Sequence, residues 1–375
     1  MKSNGGCAVE ESRKYEIRKL AVAAAAFSVD AAVLAIVLIS GWTFRLRDYS
    51  QSLGAGNVVS VLIYTAVIGA GIAVIQMPLS LYSGYILEHQ AGLSRQTLSG
   101  WAKDYGIGLA LGGVVGLAAT ELVYFLMRLA PETWWFYASV AFILFVVVMA
   151  NLAPVLLLPL FFKFKPVEDP ELTRRIQRLS QRTKTKLCGL FEWALGEKTR
   201  KANAAVVGWG NTRRIIVSDT LLRNFSAEEI DVIMAHELCH HVRNHVWRAI
   251  AIQAALVFST LYVIHLCLTH FSPALGFTSV SDIANFPFVV LLATGLSLLA
   301  LPGVNAFSRR LERDADLYAL HVTGDALAFV SGMEKLARLN LARTSPNPII
   351  EFVFYSHPSI EKRIRMAADR VGQNV

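Results

Sequence analysis

Charge is scarce in this sequence. Of its 375 residues only 17% are Asp, Glu, Lys or Arg, whereas 54% are hydrophobic and the mean hydropathy is +0.45. Soluble domains carry about a quarter charged residues, and the apolar residues here arrive in long blocks with no amphipathic rhythm. This excludes a string of ordinary water-soluble domains and makes lipid the solvent for much of the chain. Cysteine is scarce too. Cys7, Cys188, Cys239 and Cys267 show no paired spacing, which excludes a disulfide framework and leaves reduced thiols. Stacking-aromatic and groove-reading motifs are missing, so the net charge of +8 and pI of about 9.3 do not indicate nucleic acid as a partner. A basic surplus on the cytoplasmic faces of a membrane protein accounts for that charge. There is no internal repeat and no low-complexity linker.

What the sequence does have is about six apolar stretches long enough to cross some 30 Å of hydrocarbon as helices. Four fall at 18–40, 57–80, 105–128 and 137–163, and two at 246–270 and 285–307. Pro154 and Pro159 predict a kink or early exit in the fourth, and Leu79–Leu87 leaves room for a re-entrant segment. The first stretch is longer than the apolar core of a cleaved signal and no small-residue cleavage site follows it, so it reads as a signal anchor. The N-terminal segment carries Lys2, Arg13, Lys14, Arg18 and Lys19, and 164–245 and the tail after Phe307 are densely basic. The 271–284 and 129–136 connections hold no Lys or Arg. Six spans put every basic segment on one side, which the positive-inside rule makes the cytoplasm.

The expected architecture is therefore mostly α, a polytopic helical membrane protein with a small catalytic region carrying a short β-sheet. Residues 1–163 form an N-terminal membrane region, 164–245 a cytoplasmic catalytic region, 246–307 two further spans, and 308–375 a mostly helical C-terminal segment. Within 164–245, Glu168–Lys186 has helical periodicity, and Leu190–Ala194, Ala204–Val207 and Arg214–Ser218 read as strands. Ser226 followed by Glu229 predicts a capping box that opens a helix, with Phe225 as a hydrophobic staple.

That helix contains His236-Glu237-Leu238-Cys239-His240. Four helical residues advance about 400°, so His236 and His240 share a face and both imidazoles can reach one Zn²⁺. Glu237 lies about 100° round the turn, where it can act on water as a general base. Alone, the motif would also fit a histidine-rich helix, since His241 and His245 follow. A catalytic zinc needs a third protein ligand, and Glu312, just past the sixth span, is the candidate. Asp316 stands one turn further on the same face, able to accept the free ring N–H of a ligand histidine. A solvated charged helix start is the alternative for this run. Cys239 lies about 100° from His240 on the wheel and reads as packing. Asp30, Glu121 and His265 fall inside apolar spans, which implies a polar interior or a function for them.

The pair H-E-x-x-H and Ser308-Arg309-x-x-Glu312-x-x-Ala315-Asp316, each beside a span, resembles the type I CAAX prenyl protease family of integral-membrane zinc metallopeptidases. Leu81–Tyr85 through Glu88–Ser94, Lys201–Ala204, Arg213–Leu222, and Ser356-His357-Pro358 with Arg363 extend the resemblance along nearly the whole chain. Cys239 departs from it, standing where that family usually has Gly, and the chain has six expected spans where the longer eukaryotic members have seven. The resemblance implies a zincin-like catalytic region, a helical membrane barrel around a water-filled chamber, and one Zn²⁺ per chain. It implies that Asn203 binds substrate at the sheet edge and that His357 and Arg363 line the cleft near the developing oxyanion. The implied partners are membrane lipid and a membrane-tethered or prenylated protein substrate. A quality-control protease without prenyl specificity, an inactive zinc-binding membrane scaffold and a transporter stay open as alternatives; an intact Glu237 argues against the last two.

Overall fold

The computed structural model describes residues 3–54, 56–208 and 213–371; Lys2, counted above among the N-terminal cations, lies outside them. Helix α1 (Ser3–Ile39) is followed by a short α2 (Trp42–Ser52) and by α3 (Gly56–Leu81). A π-helical turn at Tyr82–Ile86 carries α3 directly into α4 (Leu87–Gln90). The Leu79–Leu87 segment is thus the continuation of one rod and not re-entrant. Next come α5 (Leu98–Leu129) and α6 (Trp134–Leu156). Leu157 breaks α6 one residue before α7 (Leu158–Phe161), so the exit foreseen at Pro154 and Pro159 is present.

The polar middle holds β1 (Phe164–Pro166), α8 (Pro170–Arg182), β2 (Gly189–Trp193), β3 (Ala204–Val207), β4 (Arg214–Ser218), α9 (Asp219–Asn224) and α10 (Ala227–Val242). The sheet order is β1-β2-β4-β3, with β2 and β4 parallel and both outer strands antiparallel to their neighbours. Strand β1 escaped the sequence reading because three residues ending in proline show no alternation. Helix α8 is shorter than its periodicity suggested: Asp169 caps Glu171 and Leu172 N–H with Pro170 in the first turn, and Lys184 turns left-handed at φ 52°.

The chain then re-enters the apolar part through α11 (His245–Phe271) and α12 (Phe286–Thr323), and closes with α13 (Ala326–Leu339), α14 (Pro348–Phe354) and α15 (Ile360–Val371). Among the described residues, six helical stretches are long and apolar enough to span a membrane: Val9–Ile39, Gly56–Gln90, Leu98–Leu129, Trp134–Phe161, His245–Phe271 and Ile283–Thr323. The expected count holds, and the molecule is an integral, multi-pass membrane protein. Helix α12 runs unbroken through residue 307, where the sequence reading placed a boundary.

Two cores hold this together. The membrane core gathers Tyr64, Tyr124, Trp134, Ile264 and Leu268. At one of its ends α2 is tied to the connection after α11: Arg47 Nη1 meets Asp282 Oδ2 at 2.8 Å and Thr43 donates to the Ala284 carbonyl at 2.5 Å. Positive-inside counting places Arg45 and Arg47 on the side expected to lack cations, and Arg47 is neutralised there. The second core joins α8, the sheet, α10, α13 and α15 through Leu179, Ile215, Leu221, Met234, Leu238 and Phe329. It fixes α10 against the sheet on one side and against α12 on the other. Inside the spans, Asp30 accepts from Gln76 at 2.5 Å and Glu121 from Arg128 at 2.8 Å, while His265 packs edge-on to Trp134. Two of the three polar intruders are therefore paired internally, as lipid demands.

Candidate active site

Ser226 opens α10 as expected. Its hydroxyl accepts from Glu229 N–H and Glu229 returns the bond to Ser226 N–H, so the first turn is satisfied and the phase of the helix is fixed. That phase turns His236 and His240 toward α12, whose Glu312 and Asp316 share a face four residues apart. His236 Nε2 and His240 Nε2 lie 3.3 Å apart, Glu312 Oε2 is 3.2 Å from the former, and Glu312 Oε1 is 3.6 Å from the latter. Bonds of about 2.0–2.1 Å in a tetrahedron put its corners about 3.3–3.4 Å apart, so the three side chains stand at the separations a small divalent metal requires, each Glu312 oxygen facing one ring. Glu312 Oε2, buried and without a hydrogen bond of good geometry, is an acceptor waiting for such a cation.

Behind this trio, Asp316 Oδ1 accepts from His236 Nδ1 at 2.8 Å. That bond leaves the Nε2 lone pair for the metal. Burial disfavours the His236 cation, but the bonds to Asp316 and Glu312 outweigh it and raise its pKa to about 9. His240 goes the other way, to about 4, through burial and the neighbouring His236 charge. Glu237 is half-buried; burial lifts it to about 7, with Glu312 adding to the rise and His236 opposing it. A carboxylate poised there suits proton transfer near neutral pH.

His357, on the loop between α14 and α15, is exposed to the cleft with Nε2 3.3 Å from Glu312 Oε2, and its Nδ1 meets Ser356 Oγ at 2.9 Å. Arg363, which the resemblance set near the developing oxyanion, has its hydrogen bonds on the far side of His236. It is 9% exposed and grips Asp316 through Nε at 2.8 Å and Nη2 at 2.5 Å. The buried carboxylate holds the guanidinium behind His236, still within the field of Glu312 and Glu237. Asn203 is exposed at the head of the edge strand β3; its N–H donates to Ser218 Oγ and its Oδ1 accepts from Ala204 N–H. Cys239 is fully buried, and burial together with Asp314 pushes its thiol up to about 12.

Sequence reasoning missed two histidines of the same helix end. His241 Nε2 donates to the outward carbonyl of Val206 at 3.1 Å, tying the edge strand to α10 beside a cavity of about 150 Å³. His245 Nδ1 lies 3.2 Å from His240 Nδ1. On a continuous helix, residues five apart point about 140° away from each other. Only the break at Asn244, left-handed at φ 55°, folds His245 back, and Asn is the residue to look for at such a break. The distant stretches also converge: Glu88 Oε2 meets Lys201 Nζ at 2.8 Å, bracing the approach to β3 from the N-terminal rod.

Comparison with known proteins bears on this arrangement. Residues 166–371 match peptidase family M48, and residues 7–163 match the family described as "CAAX prenyl protease N-terminal, five membrane helices". The chain belongs to peptidase family M48 and is a membrane metalloendopeptidase of the CAAX prenyl protease type. Four candidate spans, not five, fall within its 7–163. It is 28% identical to the uncharacterized metalloprotease YhfN of Bacillus subtilis, over 88% of this chain and 79% of that one. It is 29% identical to the CAAX prenyl protease 1 homolog of Arabidopsis thaliana (77% and 69% covered) and 26% identical to CAAX prenyl protease 1 of Saccharomyces cerevisiae (82% and 72%). Its fold matches the crystal structure of S. mikatae Ste24p with a TM-score of 0.85 at 22% identity, covering 96% of this chain and 89% of that one.

Proposed function

We propose that this chain is a zinc endopeptidase that cleaves membrane-tethered substrates, prenylated CAAX C-termini among them, at the cytoplasmic face of its membrane. The observation that carries the reading is the His236, His240 and Glu312 trio with its 3.2–3.6 Å edges. These three would hold one Zn²⁺, which would supply a Lewis acid and lower the pKa of water at the site. Glu237 takes the proton from the attacking water and delivers it to the leaving amine. His357 presents Nε2 on the open side of Glu312, where an oxyanion develops. Asp316 holds the His236 ring, and Arg363 holds Asp316. The cytoplasmic location is supported by the Lys and Arg content of the segments that carry the site.

Substrate binding is assigned to β3. Its alternation with β4 turns Ala204 and Val206 outward. Asn203 Oδ1 already takes the Ala204 N–H and His241 the Val206 carbonyl, which leaves the Ala204 carbonyl and the Val206 N–H for an added peptide strand. Such bonds are blind to side chains, and a membrane tether supplies the local concentration. The enzyme therefore cleaves a farnesylated CAAX peptide and, more slowly, unprenylated membrane-associated chains, as a quality-control protease would. The test is a side-by-side kinetic comparison in nanodiscs with Glu237→Gln as the blank. Strict dependence on the prenyl group defeats the permissive reading; cleavage of membrane proteins with no action on the farnesylated peptide removes the CAAX substrate.

A further inference from the structure

The two ligand histidines are supported differently at first sight. His236 has Asp316 directly behind it, whereas His240 has a second imidazole. The proton positions decide what that imidazole does. His240 directs Nε2 at the metal side, 3.3 Å from His236 Nε2 and 3.6 Å from Glu312 Oε1, so its ring proton resides on Nδ1. Nδ1 faces His245 Nδ1 at 3.2 Å, which must then offer a lone pair. His245 consequently carries its own proton on Nε2, and Nε2 lies 3.0 Å from Asp314 Oδ2. One tautomer of each ring satisfies both contacts; the reverse placement on His245 sets two N–H groups head to head. His245 is 1% exposed, so water does not supply an alternative partner. Arg243 forms a half-exposed ion pair with the other oxygen of Asp314, on the side away from His245.

We propose that Asp314 and His245 form a relay that orients His240, making both of them positioning residues for the metal site. Each ligand histidine is then held from behind by an aspartate of α12: His236 directly, His240 through one intervening ring. This rests on the reading of His236, His240 and Glu312 as metal ligands. The break at Asn244 gains a purpose, because it returns the chain for His245 to back the ligand five residues earlier.

The test measures zinc affinity of the full-length protein in detergent by competition with a chromophoric chelator. Apo-protein thermal midpoints and the visible spectrum of the Co²⁺-loaded protein are read alongside. His245→Gln is expected to lower zinc affinity about 10–100-fold, the range typical of partners behind a ligand histidine. Asp314→Asn, at a partly exposed position that does not threaten folding, is expected to lower it less, because its amide oxygen still accepts from His245. The double variant should bind zinc no more weakly than His245→Gln alone, since the carboxylate acts only through the ring. The Co²⁺ spectrum should shift in all three. Arg243→Gln, which removes only a half-exposed ion pair, should leave zinc affinity within about twofold. Additive losses in the double variant, or wild-type affinity and spectrum in His245→Gln, overturn the relay. So does a second zinc equivalent that disappears in Cys239→Ala, because the Cys239 sulfur lies within 4.8 Å of ligand atoms of His245 and Asp314 and that result would make His245 a ligand. A wild-type protein that binds no zinc overturns the site reading itself, which separates the two failures.

Discussion

Asp316→Asn separates the role the sequence suggested for Arg363 from the one the structure gives it. Asp316 is fully buried and its carboxylate serves three bonds: His236 Nδ1, Arg363 Nε and Arg363 Nη2. Neutralising it leaves a guanidinium that is 9% exposed without its hydrogen-bonded counter-charge, with only Glu312 and Glu237 acting on it from further off. Breaking a buried pair in this way costs about 3–5 kcal/mol of stability. The amide also accepts more weakly from His236, so zinc affinity should fall about 10–100-fold. Adding Arg363→Met removes the orphaned charge at similar volume and should return most of the stability, but not the zinc affinity. The assay is a thermal melt of the apo protein in detergent beside chelator competition, on both single variants and the double. Greater instability in the double than in either single would refute the buried-pair argument. If Arg363→Met alone kept wild-type melting and zinc binding while lowering only kcat, the guanidinium would serve the oxyanion after all.

Glu237→Gln should keep its zinc and its fold while losing activity by about 10²–10⁴-fold; an active variant rejects Glu237 as base. Zinc binding should weaken as pH falls below about 9, because His236 has its pKa raised to about 9 and must give up a proton to ligate, whereas His240, lowered to about 4, competes only in strong acid. Chelator competition across pH 6–9 reads this, and a flat profile contradicts it. The rate should lose activity toward acid as Glu237 protonates, with a midpoint at or below about 7, since the two charges of a bound zinc oppose the rise caused by burial. Activity that climbs through that window on acidification would exclude a carboxylate base. Reporter tags at residue 5, in 180–190 and at the C-terminus should report cytoplasm, and one in 274–280 the opposite side; termini on opposite sides would mean an odd number of spans.

Much of this was legible in the residues themselves. Hydropathy located the six spans because each is apolar for longer than any soluble helix needs, and local chemistry located α10 because Ser226 and Glu229 satisfy its orphan N–H groups. Four-residue periodicity put His236 and His240 on one face, and the structure brings Glu312, the candidate just past the sixth span, beside them. What stayed hidden depends on breaks and on burial. His245 needed the left-handed Asn244, and the π-helical turn at Tyr82–Ile86 has no sequence period of its own. The Arg363–Asp316 pair was hidden because the sequence does not disclose that Asp316 is buried, and only burial makes that carboxylate claim a guanidinium.

Helix α12 is a single rod from Phe286 to Thr323, and it acts as a depth gauge. At 1.5 Å per residue, about 39 Å of helix separates Phe286 from Glu312. For a rod along the bilayer normal with its first turn at the far edge of a hydrocarbon layer about 30 Å thick, the Glu312 carboxylate would stand about 9 Å beyond the near edge, at the level of the lipid headgroups. An extended chain covers that distance in about three residues. On the proposed function, that would confine proteolysis to the stretch just where a polypeptide emerges from lipid, and a bond far along a soluble tail would gain nothing from being tethered.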